Sequence, residues 1–232
     1  MLHAGGMKLG KEGFKTASYY GLGFNSDRIL FLIDKSESMI RYGKWSGLLE
    51  ELTGFLSSSA DTLHFNIVEF SDQVDLWEDG LQPLDQRSQK DAMRFLQRTN
   101  PYGPTNLSHA IKIAFEDTDA DSVVLLSDGR ANRGDAQEPD EILSELRQLN
   151  RYTRLSVYTV YLSGGPMIPY EARHGCTGDC PAPSEVDFEA WKRSKRDWLP
   201  TTKHGEMLAR MASENGGECT IGFGKPWHAS PP

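Results

Sequence analysis

Apolar positions along the chain follow two rhythms that alternate. Ile29 to Ile33 is a continuous apolar run, the signature of a strand buried on both faces of a parallel sheet. Trp45, Leu48, Leu49, Leu52, Phe55 and Leu56 then recur at helical spacing and share one face. Leu63, Phe65 and Ile67 alternate as a strand running through Val68 to Phe70, and Gln73 to Trp77 reads as its short partner across a tight turn at Ser71-Asp72. Helices are expected from about Ser88 to Arg98 and again after Pro104, where Leu107, Ala110, Ile111, Ala114 and Phe115 share a face. Ser122 to Leu126 is another buried strand. Pro139-Asp140-Glu141 opens a helix with acidic residues at the end its dipole favours. Leu155 to Leu162 reads as a strand. A last helix, marked by Met207, Leu208, Met211 and Ala212, stops at Asn215-Gly216-Gly217 before a final strand at Glu218–Phe223.

Strands and helices that alternate in this way predict an α/β fold with a doubly wound, mostly parallel central sheet. Helices cover both faces, and one short antiparallel strand lies at an edge. The organisation expected is a Gly-rich lead-in over residues 1–27, one domain over 28–224 and a short tail over 225–232. Within the domain, 164–203 is a polar, Pro-containing insertion, long for a plain connection. Its Tyr170, Phe188, Trp191 and Trp198 either pack the insertion onto the domain or face a partner. In such sheets ligands bind beyond the carboxyl ends of the strands, where the strand order reverses.

Three short stretches can reach that edge. Asp34-Lys35-Ser36-Glu37-Ser38 follows the first buried strand, Ser127-Asp128-Gly129 follows the Ser122–Leu126 strand, and Gly103-Pro104-Thr105-Asn106 leads into the Leu107 helix. Together they offer two carboxylates and three hydroxyls, with no His or Cys. An all-oxygen set suits a hard cation such as Mg2+ or Mn2+, with Ca2+ also compatible, better than zinc or copper. Alternate residues of an extended stretch project to one side, so Asp34, Ser36 and Ser38 can converge. Without a cation, Asp34 and Asp128 are expected to repel. Taken singly, a Ser or Asp before a helix is commonly an N-cap and Asp-Gly a turn. Capping alone does not explain all three in this order, each at an element boundary.

Asp34-x-Ser36-x-Ser38-Met39, then Thr105 in Pro104-Thr105-Asn106-Leu107, then Leu126-Ser127-Asp128-Gly129 resembles the von Willebrand factor type A (vWA) domain. These residues match its metal-ion-dependent adhesion site. The resemblance extends over roughly Arg28 to Gly224 and implies a Rossmann-like sheet with the site at its switch point. By that resemblance Ser36 and Ser38 would ligate the ion directly, and Thr105 directly or through water. Asp34 and Asp128 would act largely through water or by hydrogen-bonding the hydroxyls. It implies a protein-binding, adhesion-type module in which a partner's Asp or Glu completes the metal shell. Glu37 departs from the family, where Gly is common. Its side chain either points outward or sets a like charge near the incoming carboxylate.

Net charge is −8 and the 25 basic residues are scattered, which argues against nucleic acid as the partner. No apolar run approaches the roughly 20 residues of a membrane helix. Cys176 and Cys180 lie close together in a Gly- and Pro-rich stretch. They are read as a local disulfide, which would point to an oxidising compartment, as two free thiols, or, with His174, as part of a zinc site. No nucleophile–base pair, P-loop or metalloprotease motif accompanies the oxygen cluster, so an enzyme is not expected. A metal-dependent hydrolase and a scaffold with a purely structural ion are the rival readings.

Overall fold

The computed structural model describes residues 19–24, 26–116, 119–163 and 202–223. β1 (Arg28–Asp34) leads through two single 3-10 turns, Glu37–Met39 and Arg41–Gly43, into α1 (Lys44–Ser58). β2 (His64–Phe70), β3 (Val74–Leu76) and β4 (Gln82–Pro83) precede α2 (Gln86–Arg98) and α3 (Leu107–Glu116). β5 (Ser122–Ser127), α4 (Pro139–Thr153) and β6 (Ser156–Ser163) follow, then α5 (Lys203–Glu214) and β7 (Cys219–Phe223). α2 starts two residues before the expected Ser88 because Asp85 caps it. The Asp85 carboxylate accepts from the N–H groups of Arg87 and Ser88 at 2.7 Å each, and the Ser88 hydroxyl accepts from the Asp85 N–H at 2.9 Å.

The strand order is β3-β2-β1-β5-β6-β7, with β4 also on β2. β1, β2, β5, β6 and β7 pair in parallel, while β3 and the two-residue β4 run antiparallel to β2. The chain first steps from β1 to β2 on one side and later crosses to β5 on the other. Strand order therefore reverses between β1 and β5, and the carboxyl ends of these two strands form the switch point.

The continuous apolar run of β1 serves both layers, because successive side chains face opposite ways. Ile29, Phe31 and Ile33 pack with Leu48, Leu52, Phe55 and Leu56 of α1 and with Leu96 of α2. Leu30 and Leu32 pack with α3, α4 and α5 through Leu107, Ile111, Ile142, Leu146 and Leu208. Part of the expected lead-in joins the α1 layer. Tyr19, Leu22 and Phe24 are buried, Tyr19 meets Phe31 edge-on at 5.7 Å, and Phe24 meets Phe55 at 5.6 Å. The Thr220 hydroxyl of β7 donates to the Tyr20 carbonyl at 3.1 Å, tying this segment to the sheet. Most of the 164–203 insertion, with Cys176 and Cys180, lies outside the described residues. Cys219 is a free thiol. No helix among the described residues is long and apolar enough to cross a membrane.

Candidate functional site

The last residue of β1 straps the two switch-point strands together. Asp34 is fully buried; its Oδ1 accepts from the Ser36 N–H at 2.8 Å and its Oδ2 from the Ser127 hydroxyl at 2.6 Å. Ser127 ends β5, so one carboxylate joins positions 93 residues apart. The Ser127 hydroxyl also accepts from the Gly129 N–H at 2.9 Å, shaping the turn that presents Asp128. Gly129 has φ +72°, and a Cβ there would lie 3.1 Å from the His204 backbone oxygen, so α5 seats directly on this turn.

The hydroxyls gather beside that strap. Ser36 Oγ and Ser38 Oγ are 3.1 Å apart, and the Ser38 hydroxyl lies near enough to Asp128 to favour its ionised form. Thr105 is buried, its N–H donating to Asn132 Oδ1 at 2.7 Å while its carbonyl accepts from the N–H groups of Asn132 and Arg133. The loop that carries Thr105 is pinned to the Asp34–Ser38 loop by Glu37 N–H to the Gly103 carbonyl (3.1 Å) and Tyr102 N–H to the Lys35 carbonyl (2.8 Å). Asp34, Ser36 and Ser38 are thus linked by direct hydrogen bonds, Asp128 lies beside Ser38, and Thr105 is held on a loop bonded to theirs. Glu37 points outward, 64% exposed and 4.0 Å from Arg41.

Sequence reasoning missed the residue that most changes the electrostatics. Lys44, the first residue of α1, sets its Nζ 2.8 Å from Asp128 Oδ2, with the two side chains only 6% and 4% exposed. Its signal was position: Lys44 stands four residues before Leu48 and eight before Leu52, on the buried stripe of an amphipathic helix. Burial alone would raise the pKa of Asp128, but the Lys44 ammonium, with the Ser38 hydroxyl and the Arg130 N–H, holds it below the ordinary carboxylate value. Burial, and then the charge of Asp128, push Asp34 up to about 6 against the pull of its Ser127 and Ser36 donors. The expected repulsion between the two acids is real for Asp34 and is answered at Asp128 by an internal cation.

The donor chemistry fits a small hard cation. An octahedral shell at 2.0–2.1 Å sets adjacent oxygens about 2.9 Å apart, close to the 3.1 Å between Ser36 Oγ and Ser38 Oγ. Among the described residues no group of three or more His, Cys, Asp or Glu side chains gathers, so a cation at this edge depends on the hydroxyls. A separate groove of about 780 Å³ opens beside β3 and α2, lined in part by Lys35, Glu69, Asp75, Trp77, Arg94 and Thr99. It holds none of the predicted site residues.

Known proteins bear on this doubly wound sheet and the oxygen-rich cluster at its switch point. Residues 29–130 match the family model of the von Willebrand factor type A domain. Human von Willebrand factor A domain-containing protein 3B is 26% identical over 137 residues, 59% of this chain and 10% of that protein. Mouse inter alpha-trypsin inhibitor heavy chain 4 is 27% identical over 135 residues, 53% of this chain and 14% of that one. The chain thus spans only a tenth to a seventh of these relatives. The solved von Willebrand factor type A structure from Catenulispora acidiphila shares the fold at a TM-score of 0.55 and 16% identity, covering 83% of this chain and 38% of that one. Residues 29–130 are thus similar to the vWA family, and the sheet shares the fold of a solved member.

Proposed function

We propose that Asp34, Ser36, Ser38, Thr105 and Asp128 hold one divalent cation, Mg2+ or Mn2+, and that the site binds a protein partner through an Asp or Glu presented to that ion. The observation that carries this reading is the convergence of Ser36, Ser38 and Asp128 beside the Asp34 strap. Two hydroxyls stand at the spacing of neighbouring metal ligands, next to a carboxylate kept ionised. When bound, the ion supplies a Lewis-acidic position that accepts a carboxylate oxygen. The chain's own part is to orient neutral hydroxyls toward it and hold back much of the acidic charge in internal bonds, Asp34 to Ser127 and Asp128 to Lys44. A site furnished in this way leaves the ion electropositive and receptive to an external acid. Nothing in the cluster acts as a base or nucleophile, and the reading is a binding module.

Calorimetric titration with Mn2+ tests it. One site per chain is expected, lost in Asp128→Ala and in Ser38→Ala. Binding that survives both substitutions unchanged would overturn the proposal.

A further inference from the structure

Lys44 is an unlikely residue for its position on three physical grounds. It is buried where lysine is seldom buried, it sits at the positive end of the α1 dipole, and the first turn of α1 carries no acidic residue to offset it. Helix packing would be served by an apolar side chain, as at Leu48 and Leu52 on the same stripe. The ammonium is nonetheless aimed at Asp128 Oδ2, one of the few charged atoms in the cluster.

We infer that Lys44 is a charge-setting residue of the metal site, trading affinity for the cation against affinity for the partner's carboxylate. This rests on the proposed function above. With both carboxylates ionised, Asp34 and Asp128 bring two negative charges to the buried cluster and Lys44 one positive, a net −1. A divalent ion turns that into +1, and the loaded site attracts an incoming carboxylate. Without the lysine the loaded site would be neutral, holding its cation tightly and drawing an external acid weakly. The outward turn of Glu37 toward Arg41 serves the same end, keeping a third carboxylate out of the cluster.

The test compares Lys44→Gln, which keeps a donor and removes the charge, with Lys44→Arg, which keeps the charge. Mn2+ is titrated calorimetrically at fixed ionic strength, and broadening of the acetate methyl proton signal by Mn2+-loaded protein reads carboxylate access to the ion. Lys44→Gln should bind Mn2+ at least about tenfold more tightly and broaden acetate several-fold less, while Lys44→Arg stays close to wild type in both. If Lys44→Gln folds only when Mn2+ is added, that rescue counts as the same tightening. Weaker or equal Mn2+ binding in Lys44→Gln would overturn the inference, because a lysine that merely orients Asp128 gives that result. Asp128→Ala is the separating control. If it leaves wild-type Mn2+ binding intact, the proposed site is wrong; if it abolishes binding and Lys44→Gln fails to tighten it, only the role of Lys44 falls.

Discussion

Two buried acid–lysine pairs flank the end of β1, and they behave oppositely. Asp128 and Lys44 meet at 2.8 Å with no second acid paired to the lysine among the described residues, and the carboxyl stays below its ordinary pKa. Glu69, which ends up beside Ile33 in the β1–β2 register, is 3.5 Å from Lys35 and just as buried. Lys35 is shared with Asp75, to which it also bonds. Burial there outweighs the lysine and the single Thr99 hydroxyl proton shared between both carboxylate oxygens, and Glu69 is pushed up to about 6. The lesson is that an ammonium, helped by neighbouring donors, overcomes desolvation when it is close and undivided, and fails when it is about 0.7 Å farther and shared.

The largest expected effect comes from breaking the stronger pair. In chelator, Lys44→Met should destabilise the fold by about 3–5 kcal/mol, since it leaves Asp128 buried without its counter-charge. Lys35→Met should cost clearly less, because Glu69 can take up a proton instead. Urea unfolding of the two variants at one pH measures both. Equal losses would dissolve the contrast.

Asp128→Ala removes the other half of the pair and, on the proposed reading, the metal. Saturation at 100 times Kd stabilises the wild type by about 2.7 kcal/mol, a rise in melting temperature of roughly 5–10 °C for a domain of this size. That rise should vanish in Asp128→Ala. It should remain in Asp135→Ala, whose exposed side chain pairs with Lys112 on α3, away from the cluster. Asp128→Ala should also be less stable than wild type in chelator, because Lys44 is then the unpaired charge.

Much of this arrangement was legible in the sequence, and the limits have physical reasons. The runs at Ile29–Ile33 and the Leu48, Leu52, Phe55 stripe are long enough to carry a period, so β1 and α1 could be read directly. β4 has two residues and no period to read. The spacing of Asp34, Ser36 and Ser38 anticipated that these side chains converge beyond β1. The Ser127–Asp34 bond was not legible, because it depends on the β1–β5 register, which no local pattern encodes. Lys44 was passed over because lysine is ordinarily solvated. Only its place on an apolar stripe marked it out.

A smaller effect is expected from pH at the weaker pair. The folded pKa of Glu69, about 6, lies above its unfolded value of about 4.5, so the native state holds the proton more tightly. This contribution to stability is fully present below the unfolded pKa and is lost as pH rises through 6, about 2 kcal/mol across the window. Glu69→Gln should remove that slope from the difference between pH 4.5 and pH 7.5. A mutant profile parallel to wild type would mean that Glu69 is ionised throughout. Smaller still, Asp75→Asn should free Lys35 for Glu69 and shift the same midpoint part of the way down from 6, read by chemical-shift titration of the Glu69 carboxyl.

The most direct measurement is anomalous diffraction from crystals grown in Mn2+. The expected result is a single strong peak bounded by Ser36, Ser38, Thr105 and Asp128, with Ser36 Oγ and Ser38 Oγ within about 2.3 Å of it, as divalent oxygen coordination requires. A Mn2+ peak elsewhere on the chain, with those hydroxyls still bonded to each other and Lys44 still on Asp128, would contradict the assignment of this cluster as the metal site.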